Sequence, residues 1–219
     1  MKSALLIAFA FVLGSIPCGV IIAKGKGVDL KKIGSGNIGA TNVLRSLGKG
    51  AALLTFLGDA LKGTAAVAIA RALFHFGFQI SDFGFLQSAI SNQQSAIEGL
   101  AGLSAILGHN FSLFLRFRGG KGVATSLGVL VIYSPQVAIL TLIIWFVTAL
   151  ITKYSSLGAI VSFGLLPVNV FLFDKNPPVG IKVLISAMIT VLILLRHIGN
   201  IERIIKGTER KIGEQHQGS

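Results

Sequence analysis

Two glycine-rich stretches hold the residues best suited to grip phosphate: Gly34-Ser35-Gly36-Asn37-Ile38-Gly39-Ala40-Thr41-Asn42, and Gly108-His109 followed by Gly119-Gly120-Lys121-Gly122-Val123-Ala124-Thr125. Glycines let several backbone N–H groups turn toward one anion, hydroxyls and amides add donors, and Lys121 and Arg45 supply charge. In the second stretch a cation, three glycines and the start of a helix coincide, an arrangement that favours negative charge. The spacing does not match Gly-x-x-x-x-Gly-Lys-Ser/Thr, so neither loop is an NTPase phosphate loop. No histidine or acid adjoins Ser35 in sequence, so Ser35 reads as a hydrogen-bond donor to phosphate rather than a nucleophile. Each loop alone has a plainer reading: a turn capping the next helix for the first, a charge anchoring a span for the second.

Other polar residues fall at the ends of apolar runs. Arg196-His197-Ile198-Gly199-Asn200-Ile201-Glu202-Arg203, continuing to Lys206-Gly207-Thr208-Glu209, offers groups that bind a polar substrate or move a proton. Ser155 and Ser156, after Lys153-Tyr154, add hydroxyl donors at a span junction. Asp59 and Lys62, three apart inside an apolar run, are placed to pair on one helix face, and a structural ion pair is the favoured reading. His109 reads as a polar contact at a span end, since no His/Asp/Glu group with ligand spacing surrounds it and no metal is implied. Phe111, Phe114, Leu115 and Phe117 are expected at a membrane interface.

Composition dictates what positions these residues. The chain has 219 residues, 53% of them hydrophobic and only 13% charged, with the apolar residues in runs. A bilayer needs roughly 20 apolar residues per helix, which gives spans at about 3–23, 51–75, 93–108, 122–134, 136–152, 157–173 and 178–197. The expectation is one all-α integral membrane domain over 1–219 with about seven spans, six being the competing count. The third to fifth spans are short enough to be tilted, broken or re-entrant. Residues 3–23 lack a clear cleavage site and read as a retained span bent at Pro17. Residues 79–95 read as an outer loop or interfacial helix without function. Cys18 is the only cysteine, which excludes an intrachain disulfide.

The net charge of +12 would suit nucleic acid, but its placement argues for a membrane instead. If spans alternate, one side takes most of the basic residues, among them Lys24, Arg45, Arg116, Lys121, Lys153 and Arg196. Lys2, Lys62, Arg71, Lys175 and Lys182 remain for the other side or the spans. The N-terminus is then expected outside, and the C-terminus and all three polar segments in the cytoplasm. No nucleic-acid partner is expected; anionic lipid is.

These segments together resemble the PlsY family, the bacterial acyl-phosphate-dependent glycerol-3-phosphate acyltransferases. The likeness runs through the 34–42 loop, Asp59 with Lys62-Gly63, Gly108-His109 with Gly119 to Thr125, and Arg196-His197 with Asn200-Ile201, Arg203 and Gly207-Thr208-Glu209. It covers nearly the whole chain in order. It departs at Ser112 and Arg210, where the family usually has proline, at Ile198, often basic, and in residues 79–95.

The resemblance implies a seven-span enzyme of the bacterial inner membrane with its site facing the cytoplasm. It would transfer a fatty acyl group from acyl phosphate to the sn-1 hydroxyl of glycerol 3-phosphate, giving lysophosphatidic acid and inorganic phosphate. No cofactor is implied. Functional coupling to an enzyme that makes acyl phosphate is a further expectation, as is contact with membrane lipid. Because acyl phosphate is already activated, the protein mainly has to bind, orient and neutralise charge.

Ser35, Lys121 and His197 are the expected catalytic residues. Ser35 and Lys121 would hold the acyl phosphate; Arg45, His197 and Asn200 would line the glycerol 3-phosphate pocket. Gly34, Gly36, Asn37, Thr41, Asn42, His109, Gly119, Gly120, Gly122, Ser155, Ser156 and Glu209 complete the expected binding set. The proton acceptor is either His197 or the acyl-phosphate oxygens, the second being favoured. His-x-x-x-x-Asp, the signature of acyl-CoA- or carrier-protein-dependent acyltransferases, is absent. A carrier of phosphorylated metabolites is the main rival, since broken, glycine-rich helix ends also serve transporters, and a lipid-binding scaffold is a weaker one.

Overall fold

The computed structural model describes residues 2–77 and 84–212, and among them every regular element is helical. The first apolar run divides into α1 (Lys2–Ser15) and α2 (Cys18–Lys24). Pro17 forces that break, because it has no N–H to donate and its ring clashes with the preceding turn. A short surface helix, α3 (Ala40–Leu47), leads into the long α4 (Lys49–Gly77), and α5 (Gly84–Asn110) packs beside both α1 and α4. After a 3-10 turn at Leu113–Leu115 come α6 (Val123–Tyr133) and α7 (Pro135–Thr152). The bent pair α8 (Ser155–Gly164) and α9 (Leu166–Phe173), α10 (Val179–Arg196) and α11 (Ile198–Ile205) complete the chain.

Large apolar side chains face outward, as lipid requires: Leu53, Leu61, Ile139, Ile151, Phe171 and Leu184 are all more than half exposed. The interior is filled by Val67, Ile106, Leu130, Phe163, Ile189 and Ile193. Where helices cross closely, the contact residue is glycine. A Cβ on Gly128 would strike the Ala60 carbonyl, and one on Gly63 the Thr125 carbonyl. Lipid tails are as apolar as leucine, so van der Waals contact between such small faces drives association.

Each of the seven expected spans falls on a helix or helix pair. Among the described residues four helices qualify by length and apolarity to cross a membrane: Ser3–Lys24, Lys49–Phe74, Pro135–Thr152 and Val179–Arg196. The α8–α9 pair, bent by 47°, makes a fifth. With 11 residues, α6 is about 16 Å long, roughly half a bilayer core. In the irregular backbone before it, Lys121 and Gly122 line a cavity while Gly119 and Gly120 are enclosed in protein, the two settings in which membrane proteins tolerate such backbone.

Of the two forms expected for residues 79–95, outer loop or interfacial helix, residues 84–95 take neither as a separate element: they are the first turns of α5, so the helix that holds the third expected span starts well before 93; residues 79–83 lie outside the described residues. Gln94 Nε2 donates to Glu98 Oε1 at 2.8 Å, which gives it a partner one turn along the helix. Glu98 is itself held by Arg71, whose Nε and Nη2 donate to both its oxygens at 3.0 and 2.8 Å. Gln94, which reads as loop in the sequence, is thus paired within the bundle.

Candidate active site

One face of the bundle gathers the ends of α5 and α10, the starts of α4, α6 and α8, part of α7, and the surface helices α3 and α11. Between them lies a pocket of about 940 Å³. Its polar half includes Ser35, Thr41, Arg45, Lys121, His197, Asn200, Arg203 and Glu209. Its apolar half includes Leu53, Phe56, Leu127, Leu142 and Trp145, from α4, α6 and α7.

The first loop is built around Asn42, which is almost wholly buried. Its Oδ1 accepts the Ser35 N–H at 2.8 Å, and its Nδ2 donates to the carbonyls of Leu30, Ile33 and Asn37. Asn42, an expected substrate ligand, does line the pocket, while its carboxamide is occupied in folding the loop that presents Ser35. Gly34 and Gly36 take φ of +61° and +68°, which only glycine adopts cheaply, and Gly34 must also lack a Cβ because Asn42 Oδ1 occupies that space. The side chain of Ser35 is left exposed at the pocket, beside Asn37 and Gly39. Beyond them α3 begins, and its opening N–H groups have no partner within the helix. Thr41 Oγ1 lies 3.2 Å from Ser155 Oγ across the pocket.

The second loop differs from the phosphate cradle its glycines suggest. The N–H of Gly119 donates to the Asn110 carbonyl and that of Gly120 to the His109 carbonyl, at 3.2 and 3.0 Å. Their carbonyls accept from Arg196 Nη2 and Nε at 3.1 and 3.0 Å. Both backbones are therefore committed inside the protein, and neither residue lines the pocket. Only Lys121 and Gly122, with φ of +86°, reach it. His109 lines the pocket but turns its Nδ1 inward to Lys62, at 2.8 Å.

Lys121 Nζ donates to Asn200 Oδ1 at 2.6 Å, and Asn200 Nδ2 donates to Glu209 Oε1 at 2.7 Å. Glu209 also accepts from Ser156 Oγ at 2.7 Å and from Arg203 Nε at 2.8 Å. Burial alone would raise the Glu209 carboxyl, but the bonds from Ser156, Asn200 and Arg203 outweigh it and hold the group below the usual glutamate range. Burial lowers the Lys121 ammonium to about 8; Glu209 opposes that shift, while Arg203, Arg196 and Arg45 add to it. His197 is lowered further, to about 4, by burial and by Lys121. Its Nδ1 lies 2.8 Å from the Ile193 carbonyl, which can only accept, so the proton sits on Nδ1 and Nε2 is left as an acceptor.

The polypeptide after α11 closes the site from above. Arg45 Nη2 donates to the carbonyls of Arg210 and Lys211, Arg210 Nη1 to the Gly34 carbonyl, and Ile212 N–H to the Lys153 carbonyl. Sequence reasoning placed Arg45 at a substrate phosphate; it also fastens this strap. Arg196, which the sequence places in a segment suited to a polar substrate, and Arg210, to which it gives no role in the site, both line the pocket. The glycine carbonyls that hold Arg196 carry no sequence signal of that pairing.

The fold and this pocket define a polytopic membrane protein with a cationic site opening onto an apolar groove. Residues 4–207 match the model of the glycerol-3-phosphate acyltransferase family. The glycerol-3-phosphate acyltransferase of Rubrobacter xylanophilus is 39% identical over 218 residues, covering 100% of this chain and 99% of that protein. That of Thermus thermophilus is 43% identical over 206 residues, covering 94% and 93%. A solved structure of PlsY (YgiH), an integral membrane glycerol 3-phosphate acyltransferase in its glycerol 3-phosphate form, superposes with a TM-score of 0.81 at 37% identity. It covers 97% of this chain and 96% of that one. The lysophosphatidic acid form of PlsY gives a TM-score of 0.79 at 38% identity. The chain belongs to the glycerol-3-phosphate acyltransferase family.

Proposed function

We propose that this protein transfers a fatty acyl group from acyl phosphate to the sn-1 hydroxyl of glycerol 3-phosphate. The observation that carries the reading is the two-sided pocket: Lys121, Arg45 and Arg203 with Asn200 and Ser35 at one end, and Leu53, Phe56, Leu142 and Trp145 at the other. Two phosphates and one alkyl chain are the chemistry that such a site complements.

In the reaction the sn-1 oxygen attacks the acyl carbonyl carbon, a new ester C–O bond forms, and the bond to the phosphate oxygen breaks. The hydroxyl proton leaves with the phosphate, so the products are lysophosphatidic acid and inorganic phosphate. Ser35 and Lys121 hold the donor phosphate and neutralise the charge that gathers on it as it departs. Arg45, Asn200 and the Nε2 acceptor of His197 orient glycerol 3-phosphate. His197, at about 4, is a weak base at neutral pH. That favours the phosphate oxygens of the donor as proton acceptor, making the reaction substrate-assisted. Asn42, Gly119 and Gly120 serve by shaping the loops. Glu209 and Ser156 fix the orientation of Asn200.

The basic loops favour the cytoplasmic side of the inner membrane for the pocket, with the C-terminus also inside. The pocket is then open to a donor passed from the enzyme that makes acyl phosphate. The test uses purified protein in detergent with glycerol 3-phosphate and palmitoyl phosphate, following phosphate and lysophosphatidic acid together. Equal release of both, with palmitoyl-CoA inactive, is expected. Uptake of a phosphorylated solute into sealed vesicles without conversion would instead mark a carrier.

A further inference from the structure

An ionic group in the bundle interior is left without a task by the reaction above. Asp59 and Lys62 are both buried on α4, with Lys62 Nζ 2.8 Å from Asp59 Oδ1. The same ammonium lies 2.8 Å from His109 Nδ1, near the end of α5, and 2.8 Å from the Ile16 carbonyl at the Pro17 break. An ammonium has three N–H bonds and no lone pair, so these three acceptors satisfy it. They also join the α1–α2 break, α4 and α5 at one point. Because Lys62 donates to Nδ1, the imidazole proton sits on Nε2, the opposite edge of the ring.

That edge faces Gly120. A Cβ at 120 would fall within contact distance of His109 Nε2, Cε1 and Cδ2, and one at 119 would strike the His109 carbonyl. Arg196 grips the turn by its two carbonyls, and its guanidinium stacks 5.5 Å from the centroid of the Phe111 ring. The next residue is Lys121. Charges within a span are costly and require a compensating reason. This pair adjoins the ring against which the cation-bearing turn is packed.

We propose that Asp59 and Lys62 are positioning residues: by fixing the His109 ring they seat the Gly119–Gly120 turn and so aim Lys121 at Asn200 and the phosphate end of the pocket. Asp59 also lines the inner wall of the pocket, but the role assigned to both residues is exerted through His109. The kinetic side of the proposal rests on the acyl-transfer reading, whereas its geometric side does not.

The experiment compares wild type, Gly120→Ala, the double variant His109→Ala/Gly120→Ala, and Asp59→Asn, purified in detergent. One readout is phosphate release from palmitoyl phosphate with glycerol 3-phosphate, resolved into kcat and KM. The other is mass-spectrometric labelling of Lys121 by an amine-reactive reagent, which needs no turnover.

In Gly120→Ala the pinned ring cannot yield, so the turn must shift. Lys121 should label several-fold faster and kcat fall about 100-fold, the scale of an ångström-sized misplacement, with KM little changed. Removing the ring in the double variant makes room for the methyl, and a recovery of about tenfold over Gly120→Ala is expected, a non-additivity that only direct coupling gives. Asp59→Asn should lose about tenfold in kcat and speed the labelling. Should Asp59→Asn fail to fold, Asp59→Asn/Lys62→Met, which removes both charges of the pair, takes its place.

Wild-type labelling and kcat in Gly120→Ala would overturn the proposal. So would a double variant no better than Gly120→Ala, or an Asp59→Asn loss confined to KM. A wild type that releases no phosphate, yet shows the expected labelling pattern, would overturn the acyl-transfer reading and uphold the positioning.

Discussion

At the scale of the residue, Lys121 and His197 have been pushed to protonation states that suit phosphate chemistry. With its value lowered to about 8, Lys121 remains mostly charged at pH 7 and loses its proton as pH rises through 8. The parameter kcat/KM reports the free enzyme, so it is expected to fall with unit slope above about pH 8. Lys121→Arg should abolish that limb whatever rate it leaves, because a guanidinium does not deprotonate in this range. His197, at about 4, should contribute no inflection between pH 5 and 8. The bend expected on the acid side belongs to substrate phosphate, with a second pKa of about 6.

The Lys121 shift also bears on stability. A lysine whose folded value is lowered destabilises the fold while protonated, and that cost is relieved as pH rises through 8 toward the unfolded value. Lys121→Met is therefore expected to lose about 100-fold or more in kcat/KM while raising the melting temperature in detergent at pH 7. Lower stability at pH 7 together with high activity would refute both parts.

At the scale of the element, two devices set the geometry. The 34–42 loop hangs on the four hydrogen bonds of Asn42. Asn42→Ala should release Ser35 and leave buried carbonyls unpaired, each costing about 1–3 kcal/mol. A lowered melting temperature and a raised KM for palmitoyl phosphate are the expected readings. The α4–α6 crossing depends on Gly63 and Gly128, where any side chain meets backbone. Gly128→Leu should therefore lower the melting temperature far more than Gly50→Ala, since a Cβ at Gly50 meets nothing within 4 Å.

At the scale of the whole molecule, the bundle brings three distant segments to one face and ties them with the strap after α11. Arg45 to Arg210, Ile212 to Lys153 and Arg196 to Gly119 span separations in sequence that only a closed bundle can bridge. If that face is cytoplasmic, orientation can be read with single cysteines in a Cys18→Ala background. Ser46→Cys should react with an impermeant thiol reagent only in inside-out vesicles, and Asn176→Cys only in right-side-out ones. The reverse pattern would invert the topology.

What the sequence determined by itself follows from its local chemistry. Apolar runs made a helical membrane protein, Pro17 broke the first run, Asp59 and Lys62 paired at helical spacing, and glycine with lysine marked the segments that line the pocket. Each of these depends on residues close together in the chain. Residues 84–95 read as a loop or interfacial helix because a polar side chain such as Gln94 gives no sign of its partner until Glu98, one turn on and itself held by Arg71 of α4, is seen to accept from it. The tasks of Asn42, Gly119 and Gly120 misled for a related reason: a carboxamide or a backbone N–H looks free to bind substrate until the fold supplies its partner. Only the tertiary structure decided that Lys121 meets Asn200, that Arg196 clamps the turn and that His109 faces Lys62. Hydrogen bonds across tens of residues leave no periodic trace in sequence, and burial, which set the charge state of Lys121 and His197, exists only once the helices have packed.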